Sequence, residues 1–462
     1  MANTPQVTAS DVLPLGVEIG ITGGNISCLG TALPRDENAK IINAKGAYIT
    51  PGETTSRRGS RSAIAGGTTT DLAFVSQLKT VDTILPTVED YHTRAKNLTY
   101  CDYGFHLILT NPTPEIMSKE LPILIDAAIL DVLMSARSLG FTTMVHAENS
   151  DIISLITSRL EAAGHSDSYF HAISRPQIAE NEATYRIISL AELTDTPILI
   201  VHMSSEVVMK HVRKAQTRML PIHAETCPQY LFLLSERLKG TEQDPFEGAK
   251  CVCSPPLRHD PKDLDAMWRG IANGTFTTFS SDHAPSTYDH SGGKKLGLKD
   301  GIMTYKHIPN GVPGVETRLP LLFSHAGQEK TSRLSLQRFV QLTSSDPAKL
   351  YGLEGVKGNI APGCDADLVI WYPENEIVGG VVIEQKSLHH GVDYTPFESM
   401  TVKNWPKYTI LRGKVVWDRD NGGVVGGVGD GKFLVRGKGR IVVGKMGQEA
   451  TGMLSGERDY WQ

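Results

Sequence analysis

The sequence predicts an α/β protein: a (β/α)8 barrel of parallel strands, accompanied by a small β-sandwich built from both ends of the chain. Three observations carry that expectation. The middle of the chain alternates helical stretches with short, wholly apolar runs, the pattern of parallel strands buried on both faces. The polar residues able to do chemistry stand at the C-terminal ends of those runs, where such a barrel places its site. Both chain ends read instead as short strands divided by turns.

The first fifty residues contain "GVEIGITGGNISCLG" and "AKIINAKGAYITPG", apolar runs broken by Gly-Gly and Asn-Ala-Lys-Gly turns. Similar character returns in "DADLVIWYP" (Asp365–Pro373) and "YTILRGKVVWDRDNG" (Tyr408–Gly422). The expected division is therefore a composite β-sandwich of residues 1–51 and 366–420, and a barrel of residues 52–365. The tail, 421–462, is Gly-rich and basic and reads as an extension, mobile or docked on a partner. In the middle, "AAILDVLMSARSLG" and "ATYRIISLAELTD" are helical, and the strands end in "TTMVHAEN", "PILIVHMSS", "LPIHAETCP" and "TFTTFSSDHAP". "AIAGGTTT" reads as a helix, a Gly-Gly stop and a strand.

Composition narrows the function classes. Hydrophobic residues at 40% and charged residues at 21% are ordinary for a chain with a large core. A net charge of -5 and no basic face or stacking motif argue against a nucleic-acid partner or an anionic membrane. No apolar run approaches the roughly 18 residues of a membrane helix, and "MANTPQVTASDVLPLG" lacks the features of a secretory signal. Six cysteines in 462 residues do not make a disulfide framework, and Cys251-x-Cys253 is too tight for a zinc clip; a buried thiol pair is expected. A reducing, cytoplasmic setting fits.

Four strand ends share one design: "TMVH" delivers His146, "LIVH" His202, "LPIH" His223 and "TFSSD" Asp282. Imidazole and carboxylate are what a catalytic zinc takes, with one position left for water. Any one of these histidines is better read as a hydrogen-bonded core residue; two histidines and an aspartate at strand ends reverse that reading. His223 is assigned a structural role, because Glu225 and the Cys-Pro turn explain its segment. His283 either supports the site by a hydrogen bond or faces the next loop, and His106, inside the strand "YGFHLILT", is structural. The loops "CVCSPP" (Cys251–Pro256) and "IPNGVPG" (Ile308–Gly314) are stiffened by proline and glycine. Together they suit recognition of a planar amide ring by backbone groups.

Taken with "YGFHLILTNPTPE", "AETCPQYL", "GAKCVCSPPLR", "IPNGVPGVETRLPLL", "KGNIAPGCDADLVIW" and "HHGVDYTPFE", these motifs resemble the dihydropyrimidinase/hydantoinase branch of the cyclic amidohydrolases. The resemblance runs from about residue 10 to about 420 and is closest in style to fungal members. It implies a metal-dependent amidohydrolase barrel carrying two metals, usually zinc, with a β-sandwich beside it. A metal-bridging hydroxide would attack the carbonyl of a small cyclic amide or ureide, as in pyrimidine degradation, opening the ring to an N-carbamoyl amino acid. His146 and His202 would bind one metal; Asp282 would bind the other and serve as catalytic base. The backbones at Ser254 and Asn310 would hold the substrate ring. A homodimer or homotetramer is implied as well.

Two departures from the family pattern stand out. After "ITPG" the family carries a His-x-His segment; here "ETTSRRGSRSAIAGG" follows, and the first histidine of the chain is His92. After "PEIMSKELPILI" the family continues through a strand whose lysine becomes carboxylated and bridges the metals; here "DAAILDVLMSARSLG" follows, and Lys119 does not match that lysine. The remaining set leads to an expectation of one zinc or none, an incomplete barrel, and activity far below the family's. The alternative function is a non-catalytic scaffold that keeps the family's oligomer contacts.

Overall fold

The computed structural model describes residues 17–34, 39–44, 47–51, 53–55, 59–77, 84–108, 129–327, 332–373 and 376–439. Strands β1 (Glu18–Thr22) and β2 (Asn25–Gly30) form an antiparallel hairpin, turned by Gly23 and Gly24 at φ +61 and +92. Next come β3 (Ile49–Pro51), β4 (Glu53–Thr55), α1 (Ser60–Ala65), β5 (Thr68–Ser76), α2 (Leu85–Ala95) and β6 (Asp102–Ile108). The middle then alternates: α3 (Ile129–Leu139), β7 (Thr143–Val145), α4 (Ser150–Ala162), α5 (Phe170–Ser174), α6 (Gln177–Thr194), β8 (Ile198–Ile200), α7 (Glu206–Thr217), β9 (Ile222–Thr226), α8 (Gln229–Phe232), α9 (Pro261–Ala272) and β10 (Thr278–Phe279). A ribbon of β11 (Leu298–Lys299) and β12 (Ile302–Met303) precedes α10 (Arg318–Phe323), α11 (Leu336–Val340) and α12 (Asp346–Leu350). The chain closes with β13 (Leu368–Trp371), a ribbon of β14 (Val381–Val382) and β15 (Thr401–Val402), then β16 (Pro406–Leu411), β17 (Lys414–Asp418) and β18 (Gly423–Val424).

The alternating middle makes a parallel sheet in the order β7-β8-β9-β10, and β4-β5-β6 make a second parallel sheet. β8, "ILI", is buried throughout, as a strand covered on both faces must be. Helix α6 buries Ala179, Ala183, Ile187 and Ala191 on one stripe, and the last three share the main apolar core with Ile198 and Ile200 of β8. Asn149 starts α4 by accepting from the backbone N–H groups of Asp151 and Ile152, and Asp260 with Pro261 does the same for α9. Among the described residues the parallel strands stand as two sheets rather than one closed ring: no ladder joins β6 to β7 or β10 to β4. The break after β6 coincides with residues 109–128, which lie outside the described residues together with Lys119. Gly52 and residues 56–58, in the first departing stretch, also lie outside them.

The antiparallel sheet runs β3-β13-β16-β17-β18, so a strand from the start of the chain lies against strands from its end. Trp371 on β13 stacks on Phe323 of α10 at 3.9 Å between centroids, joining this sheet to the main apolar core. Part of the tail is docked on its own chain. The backbone of Tyr103 donates to Lys432 O at 2.9 Å and accepts from Leu434 N at 2.8 Å. Phe433 lies among His92, Tyr103 and Phe105. The outer edge of β6 offers unpaired donors and acceptors, which the tail meets. Gly431 has to be glycine there, because a Cβ would fall 1.9 Å from Cys101 O.

Four distant segments meet at one buried cation. The Lys357 ammonium lies 2.6 Å from Asp102, 2.8 Å from Asp365 and 2.7 Å from Asp367. Arg412 pairs with Asp102, and the backbone N–H of Lys432 donates to the same carboxylate at 2.8 Å. Burial works against the lysine's charge, but the three carboxylates outweigh it and hold its pKa well above the ordinary value. Lys357→Met strands three acids and should cost about 3–5 kcal/mol, read as a lower urea midpoint; an unchanged midpoint would show that the acids do not depend on the ammonium. A second buried pair, Arg258 with Glu180 at 2.7 Å, fastens the loop after β8: Glu180 accepts from Ser204 N, Ser204 Oγ and Ser205 Oγ. Glu180→Gln should lower stability by about 3 kcal/mol and speed amide exchange at residues 202–205 more than elsewhere; uniform change across the chain would contradict this.

Candidate active site

His146 follows β7 directly, His202 comes two residues after β8, and Asp282 three residues after β10. His202 and Asp282 adopt left-handed backbone, with φ +42 and +44. For non-glycine residues that conformation costs about 1–3 kcal/mol and persists where surrounding structure fixes it. His146 Nδ1 faces His202 Nε2 at 3.0 Å, and His146 Nε2 meets Glu148 Oε2 at 3.0 Å. Burial would raise the Glu148 pKa, but its hydrogen bond to His146 and the neighbouring Arg175 hold it below the ordinary value. As a carboxylate it accepts from Nε2, so a neutral His146 must accept at Nδ1 from His202 Nε2–H. That leaves His202 Nδ1 as a buried lone pair without a hydrogen-bond partner. Burial pushes the His202 pKa down to about 3, with His146 adding to the effect.

These histidines are held by a continuous set of polar bonds. Arg175 donates to Glu148 Oε2 at 2.8 Å, and the Arg175 carbonyl accepts from Arg258 at 2.9 Å. Arg258 in turn meets Ser204 and Glu180. Across the site, burial pushes the Asp282 carboxyl up to about 6, with His146 pulling the other way. Burial also lifts Glu225 to about 7, opposed by a hydrogen bond from Ser280. Glu225 and Thr226, not His223, stand at the end of β9. His223 lies inside that strand, 3.1 Å from Thr277 Oγ1.

The other histidines have identifiable partners. His283 Nδ1 accepts from Gly314 N at 3.1 Å and Val315 N at 3.4 Å, which ties Asp282 to the loop 308–314. His106 lies in β6 between the rings of Phe74 and Tyr351, and burial takes its pKa down to about 3. Cys251 and Cys253 are buried free thiols.

The two proline-glycine loops are brought together. Ser254 Oγ donates to Asn310 Oδ1 at 3.0 Å, and Gly311 N donates to Val252 O at 3.0 Å. Buried side chains fix the backbone around Ser254: His171 donates to Cys253 O at 2.8 Å, and Tyr230 to Pro255 O at 2.7 Å. Lys294 takes Val252 O. Sequence reasoning did not find His171, Arg175, Glu180, Arg258 or Lys294. Lys294 and Lys295 are adjacent in "GGKKLG", yet Lys294 is buried and Lys295 pairs with Asp289 near the surface. Glu148 carried a usable signal, an acid two residues after a strand-end histidine.

The implied two-metal centre does not fit these residues. Among the described residues no group of three His, Cys, Asp or Glu side chains converges to hold a metal ion. Among the described residues the His202 lone pair and the paired imidazoles offer donors for one ion at most.

The sequence profile of the amidohydrolase family matches residues 51–416. A D-hydantoinase of Ralstonia pickettii is 37% identical, with 91% of this chain and 95% of that protein covered. That alignment runs over 458 positions yet uses 91% of the chain, so a few dozen of its positions fall opposite gaps in this chain. A D-hydantoinase of Geobacillus stearothermophilus is 35% identical over 94% of this chain and 96% of its own length. The crystal structure of a dihydropyrimidinase from Brevibacillus agri superposes with a TM-score of 0.82 at 31% identity, covering 91% of this chain and 95% of that one. Similar over most of its length to D-hydantoinases in sequence and to a dihydropyrimidinase in fold, the chain belongs to the amidohydrolase family.

Proposed function

We propose that the protein acts in ring-opening hydrolysis of a small cyclic amide or ureide, giving an N-carbamoyl amino acid. The observation that carries this is the meeting of His146 and His202 at 3.0 Å at the ends of adjacent parallel strands, in a chain whose relatives are named D-hydantoinases. In this reading the backbones at Ser254 and Asn310 hold the ring in register. Asp282 takes the proton of the attacking water and passes it to the ring nitrogen as the C–N bond breaks. A carboxyl group near pH 6 is suited to both halves of that transfer.

The finer assignments belong to the same proposal. His146 and His202 would serve one zinc and Asp282 another in the intact pattern of the family; this chain is assigned one zinc or none. The architecture is assigned as an incomplete (β/α)8 barrel of residues 52–365 beside a β-sandwich of residues 1–51 and 366–420, with 421–462 as an extension. The ladder between β3 and β13 supports the composite β-sandwich. A cytoplasmic setting is supported by the free cysteines, and a homodimer or homotetramer and a place in pyrimidine degradation complete the reading.

Elemental analysis of the dialysed, monodisperse protein should find no more than one zinc per chain. Added zinc should leave hydrolysis of dihydrouracil and hydantoin far below the turnover of a D-hydantoinase measured alongside. Two zinc ions per chain with comparable turnover would overturn the assignment of a reduced centre. Genomic DNA around codons 52 and 125 provides a separate check: in-frame segments encoding His-x-His and a lysine-bearing strand, restored to the protein, should bring metal content to about two and recover ring opening.

A further inference from the structure

Lys294 is 0% exposed, and none of the hydrogen bonds described for its ammonium goes to a carboxylate. Its three donors go to three backbone carbonyls: Val252 O at 3.1 Å, Pro309 O at 2.6 Å and Gly311 O at 2.8 Å. An ammonium has three N–H groups and no acceptor, so the match is complete. The accepting carbonyls are not scattered. Pro309 and Gly311 flank Asn310 on both sides, and Val252 lies two residues before Ser254. Val252 O also accepts from Gly311 N, so one carbonyl joins both loops to the lysine. Gly311 is at φ +114, and a Cβ there would come 2.4 Å from Ala284 O, so the loop has no slack on its far side.

We propose that Lys294 is a positioning residue for the substrate: its buried ammonium gathers the carbonyls of Val252, Pro309 and Gly311 and so sets the spacing between the backbones at Ser254 and Asn310. This rests on the reading of those two positions as the ring-holding groups. The arrangement has a cost. Burial pushes the Lys294 pKa down to about 8, with the thiols of Cys251 and Cys253 opposing the shift; the His171 imidazole is the other titratable group that senses it. Folding thus works against the charge, and a hydrophobic side chain of similar volume would avoid that cost. A buried cation kept among carbonyls of two recognition loops is explained by what it orders.

The experiment uses the full chain and two variants, Lys294→Met, similar in shape without donors, and Lys294→Arg, which keeps charge and donors. Hydrogen exchange is followed at residues 251–256 and 308–314, and hydantoin binding by titration calorimetry. For Lys294→Met, protection in both loops should fall at least about tenfold while distant strands stay protected, and hydantoin affinity should fall about 10- to 100-fold. Lys294→Arg should retain most of both, and Lys295→Met should change neither. Loops and affinity unchanged in Lys294→Met, or Lys294→Arg losing as much as Lys294→Met, would overturn the proposal. A parent chain that binds no hydantoin would refute the substrate reading instead, while the exchange data still decide whether Lys294 orders the loops.

Discussion

The cluster around Lys357 is the constraint on which the arrangement of the chain depends. One ammonium is surrounded by Asp102, Asp365 and Asp367, and Arg412 reaches the first of them from the turn after β16. Charges taken out of water are tolerable only when every partner is in place. A half-formed cluster would leave an unpaired acid or cation in the interior, at several kcal/mol each. The start of β6, the entry to β13, the turn after β16 and the backbone at Lys432 are therefore set relative to one another together or not at all. The apolar core gives the bulk of the attraction, which is roughly proportional to area and indifferent to register; the charges choose one arrangement among those that would bury similar area.

The same division of labour recurs at the site. Arg258 and Glu180 fasten the loop carrying His202, and through the Arg175 carbonyl they reach the Arg175–Glu148–His146 row. His171, Tyr230 and Lys294 occupy the carbonyls of Cys253, Pro255 and Val252 around Ser254. Among these supports Glu148 keeps one buried oxygen, Oε1, without a hydrogen-bond partner. At the strand ends two imidazoles face each other, His202 Nδ1 lacks a hydrogen-bond partner, and Asp282 sits across from them with a raised pKa. The bonds that fix the loop at Ser254 and the loop carrying His202 are thus in place around these groups.

What could be read from the sequence follows from how local each signal is. The strand ends at His146, His202 and Asp282 were legible because a short apolar run followed by one polar residue is a pattern within a few positions. His223 shares that pattern, yet β9 continues past it to Thr226, and the β-branched and small residues after it were the missed cue. Charged residues that become buried were not legible, because their burial depends on partners far along the chain: Arg258 and Glu180 are 78 positions apart. Lys294 looks like Lys295 until the loops are folded over it. The alternation of helix and strand was plain, whereas ring closure is a property of ladders between strands, and the stretch that would decide it on one side is 109–128. The tail's Gly-rich composition suggested an extension that is mobile or docked on a partner; the rings of His92, Tyr103 and Phe105 that receive Phe433 lie in its own chain, more than 300 positions upstream.

The docking of the tail on β6 bears on how the protein is made. The Asp102 carboxylate and the backbone N–H of Lys432 are 330 positions apart, and β3 waits almost as long for β13. At about 5–20 residues per second, the early strands emerge from the ribosome on the order of tens of seconds before their partners exist. During that interval the outer edge of β6 is a bare template, able to recruit another chain. A chain that ends before residue 432 therefore lacks the backbone groups that meet this edge of β6 at Tyr103.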